Sequence, residues 1–156
     1  EFSLWRVVPK RSIATPNYEK ECRQLLFSAY QFKGPAAVRY PRGKSTGVAI
    51  EQDMRALAIG KGYKVREGQD IAIINFGTLL PGAVIAADKL DATVCDMRWA
   101  KPLDHELIEA LANSHQLIVT LEENSIAGGA GSGVTEYLSA QGILLPTLHL
   151  GLPDRY

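Results

Sequence analysis

Residues 121–138 read LEENSIAGGAGSGVTEYL, two adjacent carboxylates, Glu122 and Glu123, followed by a run in which four of six residues are glycine. A glycine-rich turn that opens a helix can hold phosphate, because free backbone N–H groups and the helix dipole both favour an anion there. Neither phosphate motif is completed. Counting G-x-G-x-x-G from Gly129 or Gly131 puts the last required glycine on Val134 or Glu136. Gly128 and Gly133 have P-loop spacing, but Val134 stands where that loop needs lysine. The run therefore reads as a tight corner between a strand and a helix, where glycine lets backbones approach closely. Glu122 and Glu123 read as acceptors for the N–H groups of that corner, or as facing a second subunit. A substrate role stays open, since open α/β sheets bind ligands beyond the carboxyl ends of their strands. His105, His115 and His149 share no metal-ligand spacing with each other or with Cys22 and Cys95. The two cysteines lie in apolar patterns, one on a helix and one in a strand, and read as reduced core residues.

The elements that would position these groups follow from periodicity. Arg11–Thr15 reads as a short extended stretch. A helix is expected from Thr15-Pro16, capped by Thr15, with Tyr18, Cys22, Leu25, Leu26 and Ala29 inward. Gly34-Pro35 breaks it, and AAVRY (36–40) reads as a strand ended by Pro41. Strand, helix and strand make one βαβ unit, too small to fold alone. Residues 44–69 read as a linker, with GKGYKVREGQD as a small hairpin. IAIINF (71–76) is an apolar run typical of a strand covered on both faces. Next come a helix to about Leu90 capped by Thr78, strand 92–97, a helix capped by Asp104 with Leu107, Ile108 and Leu111 inward, strand 116–121, helix 133–140 and strand 144–150. This β-α-β-α alternation predicts an α/β fold, a mostly parallel sheet with helices on both faces. Arg98 and Trp99, just past a strand end, read as a domain or subunit contact, with Trp99 as simple core the alternative.

Composition narrows the function class. With 17 basic and 17 acidic side chains the net charge is zero, which argues against a general nucleic-acid or membrane-surface binder. No apolar stretch approaches 18 residues and no signal-peptide pattern is present, so the expected location is the cytoplasm. The absence of an initiator methionine and the ending GLPDRY suggest a fragment of a longer chain.

Three stretches go beyond fold class: VRYPRG (38–43), DMRWAKPLD (96–104) and LEENSIAGGAGSGVTEYL followed by GLPD (151–154). Together with TPNYEKECRQLL near the start, their order and spacing resemble the 1-deoxy-D-xylulose-5-phosphate synthase family, thiamine-diphosphate enzymes of the transketolase superfamily. The resemblance begins after Pro9, and residues 1–8 fit it poorly. It implies that residues 1–43 are the C-terminal part of a middle, pyrimidine-binding domain, 44–69 a linker, and 70–156 a transketolase-like C-terminal domain. It also implies a homodimer that condenses pyruvate, with decarboxylation, and glyceraldehyde 3-phosphate. The product would serve isoprenoid, thiamine and pyridoxal synthesis in a bacterial cytoplasm or a plant plastid. The family's thiamine diphosphate and Mg2+ supply the carbanion chemistry, and their Gly-Asp-Gly and asparagine ligands and the activating glutamate have no counterpart here. The fragment alone is therefore expected to be inactive, with no catalytic, cofactor or metal ligand of its own. Arg42 matches the family arginine that grips the phosphate of glyceraldehyde 3-phosphate, a task suited to a planar guanidinium. Arg39 reads as a structural charge. The other readings are a non-catalytic docking or dimerisation module and a 2-oxo-acid dehydrogenase β subunit, against which VRYPRG and GLPD argue.

Overall fold

The computed structural model describes residues 2–43, 47–49 and 52–153. Asp154 of the GLPD stretch and residues 44–46 and 50–51 of the expected linker lie outside the described residues. The chain opens with a short helix, α1 (Phe2–Arg6), in the segment that fitted no expected element. Phe2 is 2% exposed and packs into the main core, and Lys101 Nζ donates to the carbonyls of Arg6 and Val8, tying down the end of α1. Strand β1 (Ser12–Ala14), helix α2 (Glu19–Gln31) and strand β2 (Ala36–Val38) follow, and β1 pairs with β2 in parallel, as one βαβ unit requires.

Helix α2 departs from expectation at both its start and its face. Thr15 does not cap it, because its Oγ1 and backbone N both bond to the carbonyl of Arg98, and the helix begins only at Glu19. Its buried side chains are Glu21, Gln24, Leu25 and Ser28, while Leu26 is 48% exposed. The polar members turn inward because they have partners there: Gln24 bonds to the backbone of Asp53 and Arg55, and Ser28 Oγ accepts from Leu57 N. Cys22, expected in the core, is only partly buried, whereas Cys95 is fully buried, and both are free thiols.

The larger sheet contains β3 (Tyr63–Arg66), β4 (Ile71–Phe76), β5 (Thr93–Asp96), β7 (Leu117–Ser125) and β8 (Thr147–Leu152), in the order β3-β5-β4-β7-β8. All neighbours are parallel except β3, which runs antiparallel to β5. The expected local hairpin over residues 60–70 is therefore an edge strand whose partner lies some 30 residues on. A further strand, β6 (Trp99–Lys101), pairs antiparallel with β1, so a small sheet of order β2-β1-β6 stands beside the large one.

Alternation along β4 divides the core in two. Ala72, Ile74 and Phe76 face helices α4 (His105–Ser114) and α5 (Ala130–Ala140), while Ile73 faces α3 (Leu80–Leu90). Helix α3 starts after Leu79, with Pro81 in its first turn, and Thr78 makes no capping bond. Asp104 does cap α4 as expected: its carboxylate accepts from Leu107 N at 3.2 Å and also from Gly62 N at 3.1 Å. Asp104→Ala should lower unfolding free energy by about 1–2 kcal/mol, the usual worth of such a cap, in urea denaturation. No helix among the described residues is long and apolar enough to cross a membrane.

Candidate functional site

The glycine corner is an anion site that the protein fills itself. Helix α5 begins at Ala130, not at 133, because β7 runs on to Ser125 and carries the Glu122 side chain beneath the helix start. The Glu122 carboxylate, 1% exposed, accepts from Ala130 N at 2.8 Å and Gly131 N at 2.9 Å. Burial pushes its pKa up from the ordinary carboxylate range, and the two N–H groups pull it back. Glycine is required by contact here: a Cβ on Gly131 would lie 2.3 Å from Thr120 Oγ1 and 2.8 Å from His149 Nδ1. An incoming phosphate would have to displace a carboxylate that already satisfies these donors. Glu122 thus takes the backbone-acceptor role read from its position.

Glu123 does something else. Its Oε2 meets Arg39 Nη1 at 2.8 Å, and its carbonyl accepts from Arg39 Nη2 at 2.9 Å. With both ends of the guanidinium engaged and both side chains about a quarter exposed or less, the pair fastens the end of β2 to the end of β7. Arg39 is the structural charge that the sequence suggested.

Beyond this clamp the chain runs through Tyr40 and Pro41 to Arg42, which is exposed. Pro41 and Gly43, on either side of Arg42, line a mostly apolar cleft of about 420 Å³, with Pro16, Tyr18 and Cys22 on the α2 side and Thr78 beyond β4. The cleft thus lies past the carboxyl ends of β2 and β4, where open α/β sheets receive ligands. Burial beside Glu21 raises the pKa of the Cys22 thiol, so it faces the cleft as a neutral, weakly nucleophilic group.

Periodicity gave no signal for the densest polar contacts, which lie where the two sheets meet. Asn17 Nδ2 lies 2.5 Å from Asp96 Oδ2 and 3.0 Å from Tyr63 Oη, and Asn17 N donates to Glu21 Oε2 at 3.0 Å. Arg98, at a positive φ of 60°, donates from Nε to Glu21 Oε1 at 2.6 Å and lies 4.0 Å over the Tyr63 ring. Trp99, fully buried, packs with Ala14 and Leu25 and against Leu57 and Ile59. Arg98 and Trp99 therefore join the small sheet to the large one, and Trp99 is core as well.

Among the described residues no group of three or more His, Cys, Asp or Glu side chains could hold a metal ion. The buried carboxyl groups of Asp96, Asp104 and Glu122 are each engaged in hydrogen bonds within the protein.

Comparison with known proteins agrees with this geometry. The Transketolase, C-terminal domain family matches residues 60–156. The whole chain, including its first eight residues, is 58% identical over 156 residues to the 1-deoxy-D-xylulose-5-phosphate synthase of Cellvibrio japonicus, covering 24% of that protein. It is 54% identical to the enzyme of the same name from Chromobacterium violaceum, covering 25% of it. The chain thus spans about a quarter of the length of these curated relatives. A solved structure described as a split gene transketolase, inactive beta4 tetramer, superposes with a TM-score of 0.82 at 31% identity, over 98% of this chain and 52% of that one. A parallel sheet with one antiparallel edge strand, helices on both faces and a family match over more than half the chain place this protein in the transketolase family, as a carrier of its C-terminal domain.

Proposed function

We propose that this chain is the C-terminal part of a cytoplasmic, homodimeric 1-deoxy-D-xylulose-5-phosphate synthase, and that Arg42 binds the phosphate of glyceraldehyde 3-phosphate. Residues 1–43 close the middle domain, 44–69 lead into the C-terminal domain, whose sheet β3 already joins, and 70–156 form the rest of it. The complete protein would join the two-carbon unit of decarboxylated pyruvate to the aldehyde, supplying isoprenoid and thiamine synthesis. Thiamine diphosphate and Mg2+ would be held by parts of the protein outside this chain, so turnover belongs to the whole. The observation that supports the assignment is the contrast between two arginines of one motif: Arg39 is tied at both ends to Glu123, whereas Arg42 is exposed, between Pro41 and Gly43, which line the cleft. By holding the end of β2, the clamp limits the conformational freedom that Arg42 would lose on binding an anion.

Arg42→Met in the full-length enzyme removes one charge-assisted contact, worth about 1.5–3 kcal/mol. The expected result is a roughly 10- to 100-fold loss in kcat/KM for glyceraldehyde 3-phosphate, at about 1.4 kcal/mol per decade. Steady-state kinetics with an unphosphorylated aldehyde should change little. Equal losses with both acceptors, at unchanged fold, would make Arg42 structural.

One observation favours a second, compatible reading as an assembly module. Edge strand β8 exposes Leu148, Leu150 and Leu152 along one face and carries no charged side chain that would discourage pairing.

A further inference from the structure

Asp96 ends β5, is fully buried, and sits where Asn17, Tyr63 and Arg98 converge. Its surroundings decide its charge. The nearest cation, Arg98, is already committed to Glu21 at 2.6 Å, and Glu21 is itself an anion facing the same spot from α2. From β3, Tyr63 faces Asp96 as a neutral phenol, its pKa pushed up to about 12 by burial. Lys64 is paired in register with Cys95 and bonds to Glu67 at 2.9 Å, so it lies on the other face of the strand. Lys20 and Arg55 line the neighbouring cleft of about 320 Å³ beside Asn17 and Tyr63. An ionised Asp96 would thus be a second buried anion beside Glu21, the two sharing Arg98, an arrangement that desolvation strongly opposes.

We infer that Asp96 keeps its proton in the folded protein at neutral pH and donates it to Asn17, making the joint between the two sheets a proton-dependent lock. The 2.5 Å separation suits O–H···O better than N–H···O. An asparagine amide turned end for end keeps its shape, so its oxygen can face both Asp96 and Tyr63 Oη. Burial, the repulsion of Glu21 and the limited help of Arg98 together raise the Asp96 pKa to about 8. Ionisation above that value sets a second buried charge beside Glu21 and makes the Asn17 amide turn over to donate, which strains the start of α2 and one wall of the cleft flanking Arg42. The inference concerns this chain's own folding and stands independently of the catalytic assignment.

The sign of the effect is fixed by linkage. An unfolded Asp96 ionises near pH 4 and the folded one near pH 8, so between these values the folded state binds more protons and stability falls as pH rises. Asp96→Asn imitates the protonated acid and removes this slope. Urea unfolding of the 156-residue chain from pH 4 to 9 should give a ratio of wild-type to variant unfolding constants that rises with pH, approaching tenfold per unit. In the wild type, the 13C resonance of the Asp96 carboxyl should titrate near pH 8. A flat ratio, or a carboxyl midpoint below pH 5, would overturn the inference. Should Asp96→Asn fail to fold, the wild-type carboxyl titration decides alone.

Discussion

Replacing Trp99 by alanine is expected to lower the free energy of unfolding by about 3–5 kcal/mol, the range for emptying a buried aromatic site. The side chain is completely buried, and its neighbours come from four separate stretches: Ala14 on β1, Leu25 on α2, Val38 on β2, and Leu57 with Ile59 before β3. Residues on so many elements cannot all collapse into the space it leaves, so the cavity term stays large. The indole Nε1 is buried without a hydrogen-bond partner among the described residues. Trp99→Phe removes that orphaned donor together with part of the ring, so its loss should be much smaller, about 1 kcal/mol. Urea denaturation of both variants checks the pair. Similar losses would mean that the indole's shape, and not the volume it fills, matters at this position.

Glu122→Ala should be nearly as severe, about 2–5 kcal/mol, because it leaves two donors of the α5 start, Ala130 N and Gly131 N, buried without an acceptor at about 1–3 kcal/mol each. Hydrogen exchange supplies the specific readout: the amides of residues 130–134 should lose protection more than those of α4. Added sulfate or phosphate should restore part of the stability of the variant, since the emptied helix N-terminus then becomes the anion site that the wild type lacks. The wild type should show a clearly smaller gain. Uniform destabilisation with no anion response would show that the carboxylate matters only for packing.

Strand β4 and the first half of β7 were legible in the sequence because each is an apolar run, the signature of a parallel strand covered on both faces, whereas the polar second half of β7 was not. Asp104 was legible because a cap acts within a few residues of itself. What sequence reasoning missed depends on partners distant in the chain. The three residues of β6 become a strand only by pairing with β1, more than 80 positions earlier. Thr15 was an excellent cap by type, and the carbonyl of Arg98 claimed it instead. The polar stripe of α2 faces inward only because residues 53–57 return to meet it. Arg42 came from a motif and not from periodicity, and the Asn17–Asp96 contact left no trace in either residue's neighbourhood.

Pairing of β1 on both sides has a consequence in time. On one side it needs β2, about 20 residues later, but on the other it needs β6, which follows β2 by about 60 residues. At the roughly 5–20 residues per second of protein synthesis, the first βαβ unit waits on the order of 3–12 seconds for the strand that closes it. Hairpins and helices form in microseconds, so the wait is long compared with every local event. During that interval the edge of β1 that β6 later takes, and the space beside Ala14, Leu25 and Val38 that Trp99 later fills, are still without those partners. A binder that shields that edge of β1 would therefore act after β2 is made and before Trp99 emerges, ahead of the larger sheet.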